Sequence, residues 1–322
     1  MISAFKDSIY EMAKKDNRIV LICVDQDVGL GHMSEEMPGQ YFMEGISEAN
    51  ITGVASGLAA DGFIPYIVNH ASFLTRRAYE QIVLDACLQE RNVRFIGMGG
   101  GLATAHLGPT HTAIEDLSLM RALPNMTVIA PCDGDEVRRL LPHTQIWNGP
   151  IYIRLARYGK PIVSEEKNGL NIGKTIVLRS SISQKGYVLL ISTGAMTSRA
   201  VAAADELTSS GVSCTVLHVH TVKPIDQAAI CSYARDASLV VTLEENVLSG
   251  GFGSACVEAL VDDDEFGNLP PIYRIGLADK FIHKYGSQHT LFESCELETH
   301  QIVKKIANRI SRIKSGSNKE SA

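Results

Sequence analysis

The sequence lacks the features that would assign it to several large classes of protein. Its seven cysteines are widely spaced, with no C-x-x-C pair and no matching histidine spacing, so neither a disulfide framework nor a zinc site is indicated. No stretch approaches the roughly 20 apolar residues that cross a bilayer, and residues 1–18 carry interspersed charges unlike a signal peptide. The net charge of −6 is too small to indicate a nucleic acid or membrane partner. We therefore expect a reduced, cytoplasmic protein.

The pattern of apolar residues predicts an α/β protein with two open, mostly parallel, doubly wound sheets. Hydrophobic residues make up 45% of the 322 residues, which is typical of a globular protein of about two domains. The predicted strands cover residues 19–24, 63–69, 93–98, 126–130, 150–154, 187–192, 212–217, 239–243 and 272–275. The predicted helices cover residues 3–15, 47–61, 72–89, 112–121, 133–141, 197–209, 226–234, 252–260 and 297–313.

A segment rich in proline, glycine and charge, residues 158–174, interrupts this alternation. It predicts a boundary between a first domain, residues 1–165, and a second domain, residues 175–313. The polar residues 314–322 are expected to be a disordered tail. Open parallel sheets bind ligands outside the carboxyl ends of their strands, so the loops after the predicted strands are the places to search for a site.

Glu48 is the first candidate for a chemical role. It lies on the apolar stripe of a predicted helix, at helical spacing with Ile51 and Ala55. A carboxyl group that faces inward loses hydration, which favours a shared or donated proton, as general acid–base catalysis requires. The alternative interpretation is a first-turn glutamate that the helix dipole stabilises.

The segment 70–81 places Phe73, Arg76 and Tyr79 at steps of three near the start of a predicted helix. These side chains are expected to face broadly one way. Aromatic faces could stack on a flat heterocycle, and Arg76 could reach an anionic group of a substrate. Aromatic residues at helical spacing are more often part of the core, and that alternative stays open.

The glycine-rich segment 97–111 does not match a nucleotide-binding loop, because Leu102 stands where the dinucleotide fingerprint needs glycine. Such a turn more often lets the backbone pass close to a ligand or a neighbouring chain. His111 ends the loop before a predicted helix, where an imidazole could donate to a substrate oxygen or be merely structural. Arg154 and Arg157 end a predicted strand and could bind an anion or form surface salt bridges.

Taken together, these segments resemble a known family. GISEAN, FLTRRAYEQ, GPTH with the following run to APCD, and YIRLAR resemble the pyrimidine-binding domain of transketolases and 1-deoxyxylulose-5-phosphate synthases. The later segments TVKPID, VVTLEEN and GGFGSA are similar to the C-terminal domain of the same superfamily. The resemblance covers nearly the whole chain. It implies a thiamine-diphosphate-dependent enzyme with the pyrimidine-binding fold followed by the C-terminal fold.

The resemblance implies roles for residues near the cofactor. Glu48 matches the glutamate that hydrogen-bonds the aminopyrimidine ring of thiamine diphosphate and starts the proton transfer that activates it. Phe73 matches the ring that stacks on the pyrimidine, and Asp25 matches an acidic residue near the cofactor. Arg76 and Tyr79 occupy positions that line this pocket or the substrate channel.

The resemblance also implies substrate contacts. His111 matches a substrate-contacting histidine, and Arg157 or Arg154 matches the arginine that holds a substrate phosphate. In the family an acidic residue usually precedes the glycine of G-x-T-H, where this chain has Leu107. A histidine is common where Gly99 stands. Both departures predict a less hydroxylated donor or acceptor.

His106 or His70 could supply part of the polarity that these two departures remove. The G-D-G…N motif, by which the family's diphosphate domain holds Mg²⁺ and the diphosphate, does not occur in these residues. We therefore expect a separate alpha-type subunit to hold both, in an assembly that resembles an α2β2 heterotetramer. Self-association through the C-terminal domain is also expected, and no metal ligand is assigned to this chain.

The implied reaction is transfer of a two-carbon ketol unit from a ketose-type donor to an aldehyde acceptor, in carbohydrate metabolism. One alternative is the beta subunit of a 2-oxoacid dehydrogenase first component. A second is a synthase that decarboxylates pyruvate and condenses it with an aldehyde, in the manner of 1-deoxyxylulose-5-phosphate synthase. A non-catalytic scaffold subunit is the alternative from another class of protein.

Overall fold

The central strands form where the sequence has uninterrupted apolar runs. In the computed structural model, which describes residues 1–25, 28–156, 161–181 and 185–320, every residue of Ile19–Val24 and Ile64–His70 is buried. Strands that are buried on both faces are typical of parallel sheets covered by helices. The described strands are β1 (Ile19–Val24), β2 (Tyr41–Glu44), β3 (Ile64–His70), β4 (Arg94–Met98), β5 (Thr127–Ile129), β6 (Ile151–Leu155), β7 (Ile176–Arg179), β8 (Tyr187–Ser192), β9 (Cys214–His218), β10 (Thr221–Lys223), β11 (Ala237–Val247) and β12 (Ile272–Leu277).

Helices connect these strands and cover both faces of each sheet. The described α-helices are α1 (Ile2–Ala13), α2 (Met33–Glu36), α3 (Glu48–Ala60), α4 (Ala71–Arg77), α5 (Tyr79–Gln81), α6 (Asp116–Arg121), α7 (Gly134–Gln145), α8 (Met196–Ser209), α9 (Gln227–Ala234), α10 (Phe252–Val261), α11 (Gln288–Ser294) and α12 (Thr299–Glu320). A π-helical segment, Ile82–Cys87, follows α5, and short 3₁₀ turns span Ala105–Leu107 and Glu166–Asn168. No helix of the described residues is both long and apolar enough to cross a membrane.

The strands form two sheets, which confirms the predicted fold class. The first sheet has the order β10-β5-β6-β4-β3-β1-β2, and the second has the order β12-β11-β8-β9-β7. Neighbouring strands are parallel except that β10 pairs antiparallel with β5, and β7 pairs antiparallel with β9. The change from one sheet to the other falls between Leu155 and Ile176, where the sequence predicts the domain boundary.

One apolar core is shared by the two sheets. Ile67 and Phe95 of the first sheet belong to the same buried cluster as Leu189 and Leu217 of the second. The two sheets therefore bury apolar surface against each other, and this burial stabilises their arrangement. None of the seven cysteines forms a disulfide bond, and six of them are buried, as expected for scattered thiols in a core.

Three strands are absent from the sequence prediction because their apolar runs are short, with no more than three residues in each. In β2 only Tyr41 is buried, and β7 and β10 have only four and three residues. β10 comes from the second half of the chain and completes the first sheet, where Thr221 pairs with Ile129. A pairing between such distant segments leaves no periodic signal in either of them.

Three helical segments also differ from the prediction. The helix expected over residues 72–89 is divided at Ala78, where the backbone leaves helical angles (φ −105°, ψ 12°). The helix expected at residue 112 begins only at Asp116. Helix α12 is described as far as Glu320, within the residues 314–322 that the sequence predicts to be a tail.

Candidate active site

The candidate site lies at the carboxyl ends of the central strands of the first sheet. In the register of these strands Asn69 of β3 pairs with Gly97 of β4, which pairs with Arg154 of β6. Helix α4 starts directly after His70, so β3 delivers two polar side chains and the first turn of a helix to one edge of the sheet. This is the edge where open parallel sheets bind ligands.

Glu48 is buried at this edge, with only 3% of its surface exposed. It is the first residue of α3, where the unpaired backbone N–H groups favour negative charge. Asn69 Nδ2 donates to Glu48 Oε1 at 2.8 Å, and Arg77 Nη1 donates to the same oxygen at 3.1 Å. A buried carboxylate that accepts from these two donors is held in one orientation and is positioned to share a proton.

Three aromatic rings stand together next to this carboxylate. The ring centroids of Phe73 and His111 are 4.8 Å apart, and His70 lies 5.9 Å from Phe73 and 5.6 Å from His111. All three pairs meet edge to face, the arrangement that ring quadrupoles favour. The structure thus brings Glu48, His70, Phe73 and His111 together from three separate segments of the sequence.

His111 is partly buried within this group. Burial lowers the pKa of its imidazole below the usual range, and the nearby His106 and Arg77 charges lower it further. Thr110 Oγ1 lies 2.9 Å from His111 Nδ1 and orients the ring. A neutral imidazole at neutral pH has one N–H to donate and one nitrogen to accept, so it can bind a substrate hydroxyl or carbonyl.

The two adjacent arginines of α4 have different partners. Arg76 pairs with Glu115 and donates to the backbone carbonyls of Thr110 and Thr112, so it fastens the loop that carries His111. Arg77 instead reaches Glu48, and its guanidinium carbon lies 4.2 Å from the centre of the Phe73 ring. The structure therefore places Arg77 against the central carboxylate, whereas Arg76, which was expected to line the pocket or the substrate channel, pairs with Glu115.

Tyr79 does not join the rings of the site. Its ring packs against the apolar core, and its hydroxyl donates to the Leu119 carbonyl at 3.3 Å. Because the helix is interrupted at Ala78, Tyr79 does not continue the helical face of Phe73 and Arg76, and its side chain points elsewhere. Tyr79 was expected to line the cofactor pocket or the substrate channel. Its position against the core agrees instead with the alternative that it is an ordinary core residue.

Arg154 also has internal partners in place of an open anion site. It is 7% exposed, forms an ion pair with Asp116 (Nε to Oδ2, 3.2 Å) and donates to the carbonyls of Ala113 and Glu245. A buried guanidinium needs such acceptors because an unpaired buried charge is costly. Its expected contact with a substrate phosphate does not match this arrangement, since its donors already hold the two domains together.

The glycine-rich turn lets the backbone pass over that arginine. A Cβ at Gly100 would stand 2.3 Å from Arg154 Nε, and one at Gly101 would stand 2.4 Å from Glu245 Cδ. The glycines were expected to admit a ligand or a neighbouring chain, but here they leave room for this chain's own buried Arg154 and Glu245 side chains. Gly99 has a positive φ of 69°, and a Cβ there would meet Thr104 at 2.5 Å, so the family's histidine would not fit this turn without rearrangement.

The remaining predicted residues lie around the site or outside the described part of the chain. Asp25 is exposed after β1, with a positive φ of 61°. Leu107 is 37% exposed on the 3₁₀ turn. His106 borders a cavity of about 540 Å³ that Arg199, Gln288 and other residues of the second domain also line. Arg157 lies among residues that the structure does not describe.

A second polar cluster lies between the two domains. Among the described residues, Cys132, Glu136 and His218 bring metal-ligand atom types within 4.8 Å of one another. Glu136 accepts from the Cys132 backbone N–H and from His218 Nε2 (2.8 Å), while Thr197 Oγ1 lies 2.8 Å from His218 Nδ1. Because these donors and acceptors have partners within the chain, we assign the cluster to the joining of α7 and β9.

Asn69 and Arg77 are the site residues that sequence reasoning missed. Asn69 carried a signal, because it ends a buried strand where an amide is out of place unless it has a partner. Arg77 differs from Arg76 only by its turn on the helix, so no sequence pattern could separate them.

Comparison with family models matches two successive domains. Residues 1–159 match the transketolase pyrimidine-binding domain, and residues 180–302 match the transketolase C-terminal domain. The first match contains β1 to β6 of the first sheet, and the second contains β8 to β12, of which β10 completes the first sheet.

Curated relatives include a transketolase subunit and longer synthases. The chain is 36% identical over 303 residues to the 6-deoxy-6-sulfo-D-fructose transketolase subunit SqwH of Clostridium sp. (strain MSTE9), covering 93% of this chain and 91% of that protein. It is 36% identical over 313 residues to 1-deoxy-D-xylulose-5-phosphate synthase 2 of Geobacter sulfurreducens, covering 96% of this chain but only 49% of the synthase. The chain therefore spans about half the length of the synthases it matches.

Solved structures show the same arrangement. A structure described as a split gene transketolase, inactive beta4 tetramer, superimposes with a TM-score of 0.84 at 31% identity, covering 95% of this chain and 96% of that one. The transketolase of Campylobacter jejuni superimposes with a TM-score of 0.72 at 18% identity, covering 95% of this chain and 46% of that one. The second likeness concerns the fold alone.

Proposed function

Because the chain belongs to the transketolase family, we propose that it is the beta-type subunit of a heteromeric, thiamine-diphosphate-dependent transketolase. It transfers a two-carbon ketol unit from a ketose-type donor to an aldehyde acceptor. The observation that carries this proposal is that the buried Glu48 carboxylate, 3% exposed, and the aromatic ring of Phe73 contact the same guanidinium, that of Arg77. An aminopyrimidine ring needs a carboxylate that hydrogen-bonds its ring nitrogen and an aromatic side chain that packs against its flat face.

The residues of the site fit the cofactor's pyrimidine end. A flat group with N–H donors, the Arg77 guanidinium, already lies over Phe73 and donates to Glu48, so the slot accepts a flat donor of this kind. When bound, thiamine diphosphate supplies a carbon nucleophile that attacks the donor carbonyl. Glu48 holds or moves the proton at the ring nitrogen, Phe73 orients the ring, and His70 and His111 face the space where a substrate oxygen would lie.

We propose that a separate alpha-type subunit holds the diphosphate and Mg²⁺, in an α2β2 heterotetramer. Support comes from the two relatives that this chain covers almost completely, which are named as a transketolase subunit and a split gene transketolase. The second is described as an inactive beta4 tetramer, which agrees with a beta-type chain that needs a partner and that self-associates. We place the enzyme in carbohydrate metabolism in the cytoplasm, where free buried thiols persist.

The substrate is proposed to be an unusual ketose or a keto compound with few hydroxyls near the loop that carries His111. Leu107 is exposed on that loop, and the turn at Gly99 has no room for a larger side chain. The Clostridium relative is named for a 6-deoxy-6-sulfo-D-fructose substrate. A panel of phosphorylated, sulfonated and unsubstituted ketoses therefore belongs in the first assay.

A second candidate function is that of a pyruvate-decarboxylating synthase. Identity of 36% to 1-deoxy-D-xylulose-5-phosphate synthase 2 over 313 residues favours it, as does the apolar Leu107. Carbon dioxide release from pyruvate in the presence of an aldehyde would identify this activity. Reduction of lipoamide carriers would instead identify a 2-oxoacid dehydrogenase component.

The test of the proposed function is the Glu48→Gln variant in the complex reconstituted with the alpha-type subunit. Glutamine keeps the shape but does not exchange the proton, so turnover should fall by at least about 100-fold. Glu206→Gln on the exposed face of α8 is the matched control and should keep full activity. Circular dichroism and thermal melting should be unchanged in both variants. Turnover of Glu48→Gln within a few-fold of the wild type would refute the proposal and favour a scaffold subunit.

A further inference from the structure

Arg77 occupies two positions at once that a bound aminopyrimidine would need. Its guanidinium carbon lies over the Phe73 ring, 4.2 Å from the ring centre, within the range of a cation–π contact. Its Nη1 lies 3.1 Å from Glu48 Oε1, which is the hydrogen bond that a ring nitrogen of the cofactor would otherwise make. A guanidinium is flat and carries several N–H donors, so it reproduces both features of the ring.

Helix geometry makes this placement possible. Phe73 and Arg77 are four residues apart on α4, so their side chains are neighbours on one face of the helix. The Arg77 side chain is 46% exposed while Glu48 is 3% exposed, so the arginine closes the solvent side of the pocket over a buried carboxylate. One aromatic face and one carboxylate oxygen cannot hold two stacked groups in the same place.

We propose that Arg77 is a placeholder for the aminopyrimidine, and this inference rests on the proposed function. In the subunit without cofactor it supplies the charge that a buried carboxylate needs and shields the Phe73 face from water. The cofactor enters only when the Arg77 side chain leaves, so each binding event includes the loss of these two contacts. Arg77 is thus a positioning residue that sets the affinity for the cofactor. Because its side chain lies on the solvent side of the pocket and is 46% exposed, it has room to move outward.

The consequence is that removal of Arg77 should strengthen cofactor binding. Because the Arg77 guanidinium is about half exposed, its cation–π contact and its ion pair with Glu48 are each modest, and their combined loss without cofactor corresponds to roughly 3- to 30-fold tighter binding. This direction is opposite to the one expected of a residue that helps to bind the cofactor. Arg77→Lys keeps the charge but not the flat group, and should lie between the wild type and Arg77→Ala.

The experiment is titration of the reconstituted complex with thiamine diphosphate at fixed Mg²⁺, followed by the quenching of protein fluorescence. The dissociation constant should fall by roughly 3- to 30-fold in Arg77→Ala. Arg138→Ala removes an arginine of similar exposure that pairs with Asp7 far from the site, and should leave the constant unchanged. A thermal melt of each variant without cofactor verifies the fold.

An unchanged or weaker dissociation constant in Arg77→Ala would overturn the placeholder role. If Glu48→Gln still abolished turnover in that case, the proposed function would stand without the inference. If the wild-type complex bound no thiamine diphosphate, the proposed function would fail and the inference with it. Because the readout is affinity, it does not depend on the identity of the substrate.

Discussion

Single side chains decide which groups meet the central carboxylate of the site. Glu48 accepts hydrogen bonds from Asn69 and Arg77, while the neighbouring Arg76 is turned toward Glu115 and the loop around Thr110. A step of one residue on a helix rotates the side chain by about 100°. The two arginines therefore have unrelated roles, one at the pocket and one as a fastener of the loop that carries His111.

His106 offers a prediction at this scale, because its charge contributes to the environment of His111. Burial is the largest cause of the lowered pKa of His111, and His106 and Arg77 follow. His106→Asn removes one positive neighbour, so the protonated form of His111 becomes less unfavourable and its pKa should rise. Titration of the imidazole C2–H signals by NMR measures this change. His300→Asn on α12 is the control, and an unaltered or lower His111 pKa in His106→Asn would contradict the prediction.

At the scale of elements, two backbone features place the site. The break at Ala78 ends α4 after Arg77 and sends Tyr79 into the core, so the pocket keeps only the first turns of the helix. The turn at Gly99, Gly100 and Gly101 passes over Arg154 and then leads into the loop that carries His106 and His111. The two features set the position of the rings relative to Glu48.

Gly101→Ala should destabilise the protein through this turn. Gly101 has a φ of 65°, and an added Cβ would stand 2.4 Å from Glu245 Cδ and 2.7 Å from Arg154 Nη2, both of which belong to buried side chains. The backbone strain costs about 1 kcal/mol and the overlap about 1 to 3 kcal/mol more.

Gly169→Ala provides a matched control for this prediction. Its φ of 68° is nearly the same, but no atom lies within 4 Å of the added Cβ, so only the backbone cost of about 1 kcal/mol is expected. Chemical denaturation of both variants measures the difference. Equal losses of stability in the two variants would show that the overlap of the added Cβ with Glu245 and Arg154 does not contribute to the loss.

At the scale of the whole molecule, the two domains are joined by core and by polar contacts. The apolar cluster runs through both sheets, β10 crosses to the first sheet, and Arg154 connects β6 with Glu245 of β11. The cluster of Glu136 and His218 adds a buried polar contact between α7 and β9. Burial alone would raise the pKa of Glu136, but His218, His220 and a backbone N–H outweigh it and lower this pKa to about 2.

His220, beside this cluster, makes stability depend on pH in a defined direction. Burial lowers its pKa from the ordinary 6.5 to about 4. Below pH 6.5 the unfolded chain binds a proton that the folded chain does not bind, so stability is lost as the pH falls from about 6.5 to about 4. The shift corresponds to roughly 3 kcal/mol in full.

His220→Asn should remove this part of the acid sensitivity. At pH 7.5 the variant should have a lower free energy of unfolding than the wild type because it loses buried contacts. The difference in unfolding free energy should become smaller toward pH 4.5, because only the wild type loses the contribution of a neutral His220. Denaturation midpoints of both proteins across this range provide the measurement, since other titrating groups affect both alike. A difference that stays constant with pH would show that His220 does not titrate as its burial implies.

The sequence by itself determined the fold class, most of the central strands and helices, and the identity of Glu48, Phe73 and His111 as candidates. It did so because apolar periodicity and short motifs are local properties. Only the tertiary structure decided that Arg77 meets Glu48, that Arg154 is used between domains, that Tyr79 joins the core and that β10 completes the first sheet. These outcomes depend on which distant segments lie side by side and on small rotations about a helix axis, and no local pattern records either.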